Sequence, residues 1–80
     1  MTIKEKIAYL SAIESILEDV EYRIKGAMVM RTNENDEWIT DEHGNYVRFI
    51  PNEVHEPSSY LQYKALEKVR ADIEKLADKV

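Results

Sequence analysis

Apolar residues recur every three or four positions along residues 2–25, and this pattern predicts one long amphipathic helix. Residues at that spacing share a face because an α-helix has 3.6 residues per turn. The stripe consists of Ile3, Leu10, Ile13, Leu17, Val20 and Ile24, with Ile7 and Ile16 beside it. Thr2 and Glu5 form a capping-box pattern at the start, and Gly26 suits the end. We expect this helix to bury its stripe against a partner helix.

A second pattern of the same kind predicts a helix over residues 59–79. Its stripe consists of Leu66, Val69, Ile73, Leu76 and Val80. Pro57 precedes it, and Ser59 with Gln62 suggests a capping box. Two helices of nearly equal length, joined by a connecting segment, can fold back antiparallel and pack stripe against stripe.

Between the helices, residues 27–50 contain two runs rich in β-branched and aromatic residues, separated by a turn that ends in Gly44. This arrangement predicts a β-hairpin with Gly44 in the left-handed conformation. The register places Thr40 opposite Tyr46. One face then carries Ile39, Val47 and Phe49, and the other carries Trp38, Thr40, Tyr46, Arg48 and Ile50. Residues 27–31 fit either a short strand or a further helical turn, and residues 51–58 a loop. We find no internal repeat.

Together these elements predict a single, mostly helical α+β domain in the order α-β-β-α, an antiparallel two-helix hairpin with an inserted β-hairpin. A chain of 80 residues has a marginal core and commonly needs disulfides, a metal or a second subunit. Because there is no cysteine, we expect a homodimer, built as a four-helix bundle. The residues predicted for the oligomer interface are Ile7, Ile16, Leu17, Leu61 and Ile73.

The net charge of −5 is concentrated in residues 26–56, which contain two basic and seven acidic residues. Phosphate backbones attract basic surfaces, so this charge argues against direct nucleic-acid binding. No run of 18 apolar residues occurs, and the first residues lack the pattern of a signal peptide. We therefore expect a cytoplasmic protein that does not enter a membrane.

No sequence pattern indicates catalysis, a cofactor or a metal. The two histidines, His43 and His55, lie in predicted turns without a metal-binding spacing. The serines lie on helix faces or at helix starts, without an oriented base. No glycine-rich loop is available to hold a phosphate. An enzyme is therefore not expected.

The strongest candidate for partner binding is the acidic and aromatic middle of the chain. Aromatic residues and arginine are enriched at interface hot spots, and acidic surfaces favour basic partners. The residues in question are Asp36, Glu37, Trp38, Asp41, Glu42, Tyr46 and Arg48. The alternatives are that the acids only keep a loop solvated, and that Trp38 covers the helices with Arg48 stacked on it.

These features lead to the hypothesis of a small acidic protein–protein interaction module without enzymatic activity. Its most concrete form is an inhibitor or regulator that docks in a basic, nucleic-acid-binding groove of another protein. The small size and acidity are typical of accessory proteins of phages and mobile elements, although no motif identifies a family. Two alternatives stay open: a structural module that builds a larger oligomer, and a binder of a small ligand such as a nucleotide at the oligomer interface, near Tyr22, Arg23, Tyr60 and Tyr63.

Overall fold

The computed structural model describes residues 1–80 and contains two long helices, α1 (Ile3–Ala27) and α2 (Pro57–Asp78). They pack against each other as an antiparallel helical hairpin. The residues between them, 28–56, are called the excursion below. They contain no strand, only three single antiparallel pairings. The expected helical hairpin is therefore present, and the inserted β-hairpin is not.

Helix α1 begins with the predicted threonine cap. The Glu5 amide donates to Thr2 Oγ1 at 3.2 Å, and the Thr2 hydroxyl donates to Glu5 Oε1 at 3.0 Å. The helix continues through Gly26 to Ala27 and stops where Met28 adopts an extended conformation. Of residues 27–31, only Ala27 therefore belongs to the helix. The end predicted at Lys25 is two residues short, which is within the usual uncertainty of helix ends.

Helix α2 begins two residues earlier than predicted. Pro57 occupies the first turn, where its missing N–H costs nothing because that amide has no helical partner anyway. Glu56 is the N-cap residue and makes no side-chain capping bond. The capping box predicted for Ser59 and Gln62 is therefore wrong, since both residues already lie inside the helix.

The core lies at the end of the hairpin that is next to the excursion. Val20, Ile24 and Ala27 of α1 pack with Tyr63 of α2, and a set of half-buried residues covers this cluster: Met28, Leu66 and Ile73. The other end is open. Ile13 is 5% exposed, whereas Ile3 and Ile7 are 79% and 61% exposed. The first third of α1 is thus not covered by α2.

The molecule is flat and elongated. Its extents are 59 × 30 × 14 Å and its radius of gyration is 17.1 Å, against about 12 Å for a compact chain of this length. Only six residues are buried. Most domains consist of two packed layers around a core, and this hairpin supplies a single layer.

The inserted β-hairpin fails because the chain divides its pairing among three segments. Thr40 does lie opposite Tyr46, as predicted, but Trp38 pairs with Thr32, and Phe49 pairs with Val29. Each segment therefore pairs with each of the other two at one position only. A ladder needs two segments that run alongside each other for several residues.

Candidate interaction surface

The excursion contains two consecutive turns of the same construction. In the first, the Asn33 side-chain oxygen accepts the amides of Asn35 and Glu37 at 2.9 and 3.1 Å. In the second, Asp41 Oδ1 accepts the amides of His43 and Asn45 at 2.8 and 3.0 Å. In both turns the side-chain oxygen of an Asn or Asp accepts the backbone amides two and four residues later. It takes the place of a backbone carbonyl acceptor.

The equivalence of the two turns extends to their fourth residues. Asp36 has φ +65° and Gly44 has φ +82°, so both are left-handed. Glycine adopts this conformation freely, and Asp is among the few other residues that tolerate it. The predicted conformation of Gly44 is confirmed. Asp36 was not predicted to be left-handed.

These turns belong to a short tandem repeat of eight residues. Residues 32–39 read Thr-Asn-Glu-Asn-Asp-Glu-Trp-Ile, and residues 40–47 read Thr-Asp-Glu-His-Gly-Asn-Tyr-Val. The expectation that the chain lacks an internal repeat is therefore wrong at this scale. Two copies are too few for a solenoid, but a comparison of the sequence with itself at an offset of eight residues would have found them.

The repeat brings Trp38 and Tyr46 together, because they occupy the same position in the two units. Their ring centroids lie 6.5 Å apart with an interplanar angle of 77°, an edge-to-face geometry that aromatic rings prefer. They are 52% and 58% exposed. We call Trp38 and Tyr46 the aromatic pair. The alternative that Trp38 covers the helices does not agree with this exposure.

Arg48 does not join the aromatic pair. Its guanidinium donates to the Met28 carbonyl oxygen at 3.4 Å and lines a depression beside the end of α1. The cation–π contact of the excursion is made instead by Arg31, whose guanidinium carbon lies 5.8 Å from the centroid of the Phe49 ring. On the predicted hairpin face, Trp38 and Tyr46 therefore lie together, and Arg48 lies apart from them.

The predicted acidic residues are all exposed: Asp36, Glu37, Asp41 and Glu42. Asp41 is engaged by the second turn, and Glu42 lies 3.7 Å from the neighbouring His43. No Lys or Arg side chain forms an ion pair with any of the four. The negative potential around the aromatic pair is therefore not neutralised by the chain itself.

An ion pair joins the two ends of the excursion, and no sequence pattern indicates it. Arg31 Nη2 lies 2.7 Å from Glu56 Oε1 and 3.3 Å from the Ile50 carbonyl oxygen. The same Glu56 oxygen accepts the Asn52 amide at 2.8 Å. The Asn52 amide and the Arg31 guanidinium lower the pKa of the Glu56 carboxyl below 4.5. The partners are 25 residues apart, beyond the reach of any local pattern.

The residues predicted for the oligomer interface divide into two groups. Ile7, Ile16 and Leu61 are exposed. Leu17 and Ile73 are half-buried, and Ile73 packs against the core cluster. Substitution at Ile73 would therefore disturb the hairpin itself.

The structure gives little support to a ligand pocket near the four residues predicted to line one. Tyr63 is buried in the core, while Tyr22 is exposed. Tyr22 and Lys25 line two open depressions of about 240 Å³ each, below the 300–1,000 Å³ typical of small-molecule sites. No group of three or more His, Cys, Asp or Glu side chains is placed to hold a metal ion. Neither helix is long and apolar enough to cross a membrane.

Comparisons with known proteins identify no relative. The chain matches no protein-family model, no curated protein and no solved structure.

Proposed function

We propose that the chain is a non-enzymatic protein–protein interaction module whose contact surface is the aromatic pair together with the acids around it. The observation that carries this proposal is the half-exposed edge-to-face pair of Trp38 and Tyr46. Large aromatic side chains dominate the energetics of protein interfaces, because they bury much area at a small cost in side-chain entropy.

The turns support this surface by holding it in one shape. Asn33 and Asp41 each fix two backbone amides, and Arg31 ties the start of the excursion to Glu56 at its end. A surface that is already ordered loses less entropy on binding. Such pre-organisation favours a contact role for the excursion over that of a plain connection between helices.

The charge indicates the chemistry of the partner. Acids surround the aromatic pair without basic counterparts, so a partner with a basic groove would be attracted and oriented by complementary potentials. A groove that normally holds nucleic acid has this character. An inhibitor or regulator of a nucleic-acid-processing protein is the most specific form of the proposal.

The test begins with affinity capture and continues with direct titration of each captured partner. Trp38 is the only tryptophan, so its fluorescence in the full chain reports directly on the proposed surface. We expect Trp38→Ala to weaken binding by about 30-fold or more, the range of a hot spot. Because this variant contains no tryptophan, its affinity is measured by isothermal titration calorimetry. Val54→Ala is the matched control, because Val54 is also an exposed apolar residue of the excursion but lies outside the aromatic pair.

The contribution of charge is tested by Asp36→Asn, Glu37→Gln and Glu42→Gln together, which preserve side-chain size. We expect slower association and a weaker dependence on salt, since exposed charges act mainly on encounter. The proposed surface would be refuted if the affinity for the partner changed neither with Trp38→Ala nor with salt concentration. Loss of binding with Val54→Ala but not with Trp38→Ala would show that the partner contacts another part of the excursion.

A further inference from the structure

The two broad sides of the helical hairpin differ in their exposed side chains. On α2, helical spacing places Leu61, Ala65, Val69 and Leu76 on one flank of the side that faces α1. On α1, the same spacing places Ala12 and Ile16 on one flank of the buried Ile13 and Val20. All six of these flanking residues are exposed, and one charged residue of each helix, Asp72 and Arg23, lies among them.

The two flanks lie on the same broad face of the hairpin. Two antiparallel helices are related by an approximate two-fold axis perpendicular to the plane that contains them. This axis brings the flank of one helix onto the flank of the other that lies at the same rotation, viewed from its own N-terminus, from the packed side. The two equivalent flanks therefore lie on the same broad face. Ile7 lies on the opposite flank of α1, where α2 contributes charged residues such as Lys64 and Glu74. We call the side with Ile16 and Val69 the apolar face.

We propose that a second copy of this chain covers the apolar face, forming an isologous dimer with the helices arranged as a four-helix bundle. The first argument is the surface area. The chain exposes 6563 Å², whereas a compact monomer of 9.4 kDa exposes about 5,000 Å². The excess of about 1,500 Å² exceeds the roughly 800 Å² that each partner buries in an interface of standard size.

The second argument is the shape. The 14 Å thickness leaves the hairpin as one layer, and a second hairpin placed face to face supplies the missing layer of an ordinary domain. An isologous contact pairs the same surface with itself. An apolar face suits such a contact, because apolar side chains match one another without a prescribed partner.

The third argument is the charge, which allows a second copy of the helical layer to approach. Residues 3–27 carry a net charge of −1 and residues 57–78 a net charge of zero, so the excess negative charge lies in the excursion. Two helical layers can therefore approach without net repulsion, while the aromatic pair remains at the end of the hairpin. This dimer is independent of the proposed function, because it uses a different surface.

The test measures the oligomeric state of the full chain by sedimentation equilibrium from 1 to 200 μM. We expect a dimer for the wild type. Ile16→Asp and Val69→Asp should each raise the dissociation constant at least about 100-fold, because the dimer would bury two unpaired carboxylates. Ile7→Asp is the matched control, because Ile7 is another exposed isoleucine of α1 and lies on the other flank; it should leave the dimer intact.

A second measurement keeps the test decisive if an Asp variant unfolds. The urea midpoint of the wild type should rise with protein concentration, because dimerisation stabilises only the folded chain. A wild-type monomer with a midpoint independent of concentration would overturn the proposal. A dimer that is lost with Ile7→Asp but kept with Ile16→Asp and Val69→Asp would overturn the assigned face.

Discussion

The helical hairpin and the excursion are stabilised in different ways. The hairpin depends on apolar packing of Val20, Ile24 and Ala27 against Tyr63. The excursion has no buried residue except Pro51. Side chains that bind backbone amides hold it together, along with one ion pair. Apolar packing is sensitive to lost volume, whereas the turns are sensitive to lost acceptors and to backbone conformation. Substitutions that act on only one of these properties should therefore separate the two regions.

The largest effect is expected from Ile24→Ala in the hairpin. Ile24 is buried in the core cluster, and removing such a side chain costs about 2–4 kcal/mol in unfolding free energy. Ile3→Ala, at an exposed position of the same helix, should cost less than about 0.5 kcal/mol. Urea unfolding followed by circular dichroism at 222 nm gives both values. Equal costs would mean that the open end of the hairpin is covered as well as the core end.

A smaller effect is expected when the second turn loses its acceptor. Asp41→Ala removes the oxygen that binds the amides of His43 and Asn45, at a cost of about 1–2 kcal/mol to the excursion. Asp41→Asn retains an acceptor and removes only the charge, so it should cost much less. Amide hydrogen exchange at residues 43 and 45 is the measurement. Similar protection in the wild type and Asp41→Ala would show that the turn does not depend on this side chain.

The two glycines should respond to alanine with opposite signs. Gly26 lies in the last turn of α1, where alanine favours the helix, so Gly26→Ala should stabilise by up to about 1 kcal/mol. Gly44 has φ +82°, and Gly44→Ala should destabilise by about 1 kcal/mol. An added Cβ has no atom within 4 Å at either site, so only backbone conformation differs. Thermal unfolding monitored by circular dichroism and by Trp38 fluorescence tests both variants. The same sign for both would contradict the assigned conformations.

The smallest effect concerns the pH dependence of the Arg31–Glu56 pair. Because the pKa of Glu56 is lower in the folded chain than its usual 4.5, its ionised form stabilises the fold above pH 4.5. That contribution is lost as pH falls below 4.5 through the folded-state pKa. Wild type and Glu56→Gln should therefore differ in melting temperature at pH 6, and the difference should shrink as the pH falls below 4.5. Glu53→Gln is the control for the substitution itself, because Glu53 lies in the same loop and forms no ion pair. A constant difference for Glu56→Gln would argue against the ion pair.

The sequence predicted the helices well because their signal is periodic and local. The stripe of α1 contains the buried Ile13, Val20 and Ile24, and Thr2 identifies the first cap. In α2 the stripe is only partly buried, because Val69 and Leu76 are exposed. The division of the excursion into half-buried and exposed apolar residues was also predictable. Ile39, Val47 and Phe49 are half-buried, while Trp38, Tyr46 and Ile50 are exposed. Alternation of apolar and polar residues carries this information whether or not a ladder forms.

The pairing of the excursion was not predictable in the same way. Val29 belongs to residues 27–31, which fit either a short strand or a further helical turn, and Thr32 lies outside the predicted register, yet they pair with Phe49 and Trp38. Propensities describe each segment alone and do not state which of three short segments pair. The Asx turns did have a signal, since Asn33 and Asp41 occupy the second position of two equivalent eight-residue units. The Arg31–Glu56 pair had none.

The antiparallel arrangement of α1 and α2 also determines how the protein is best handled. Residues 1 and 80 lie at one end of a molecule 59 Å long, and the excursion lies at the other. An affinity tag, a fluorescent protein or a surface attachment at either terminus therefore stays far from Trp38 and Tyr46. Immobilisation through a terminus would point the aromatic pair into solution, and a bulky fusion there would leave it accessible.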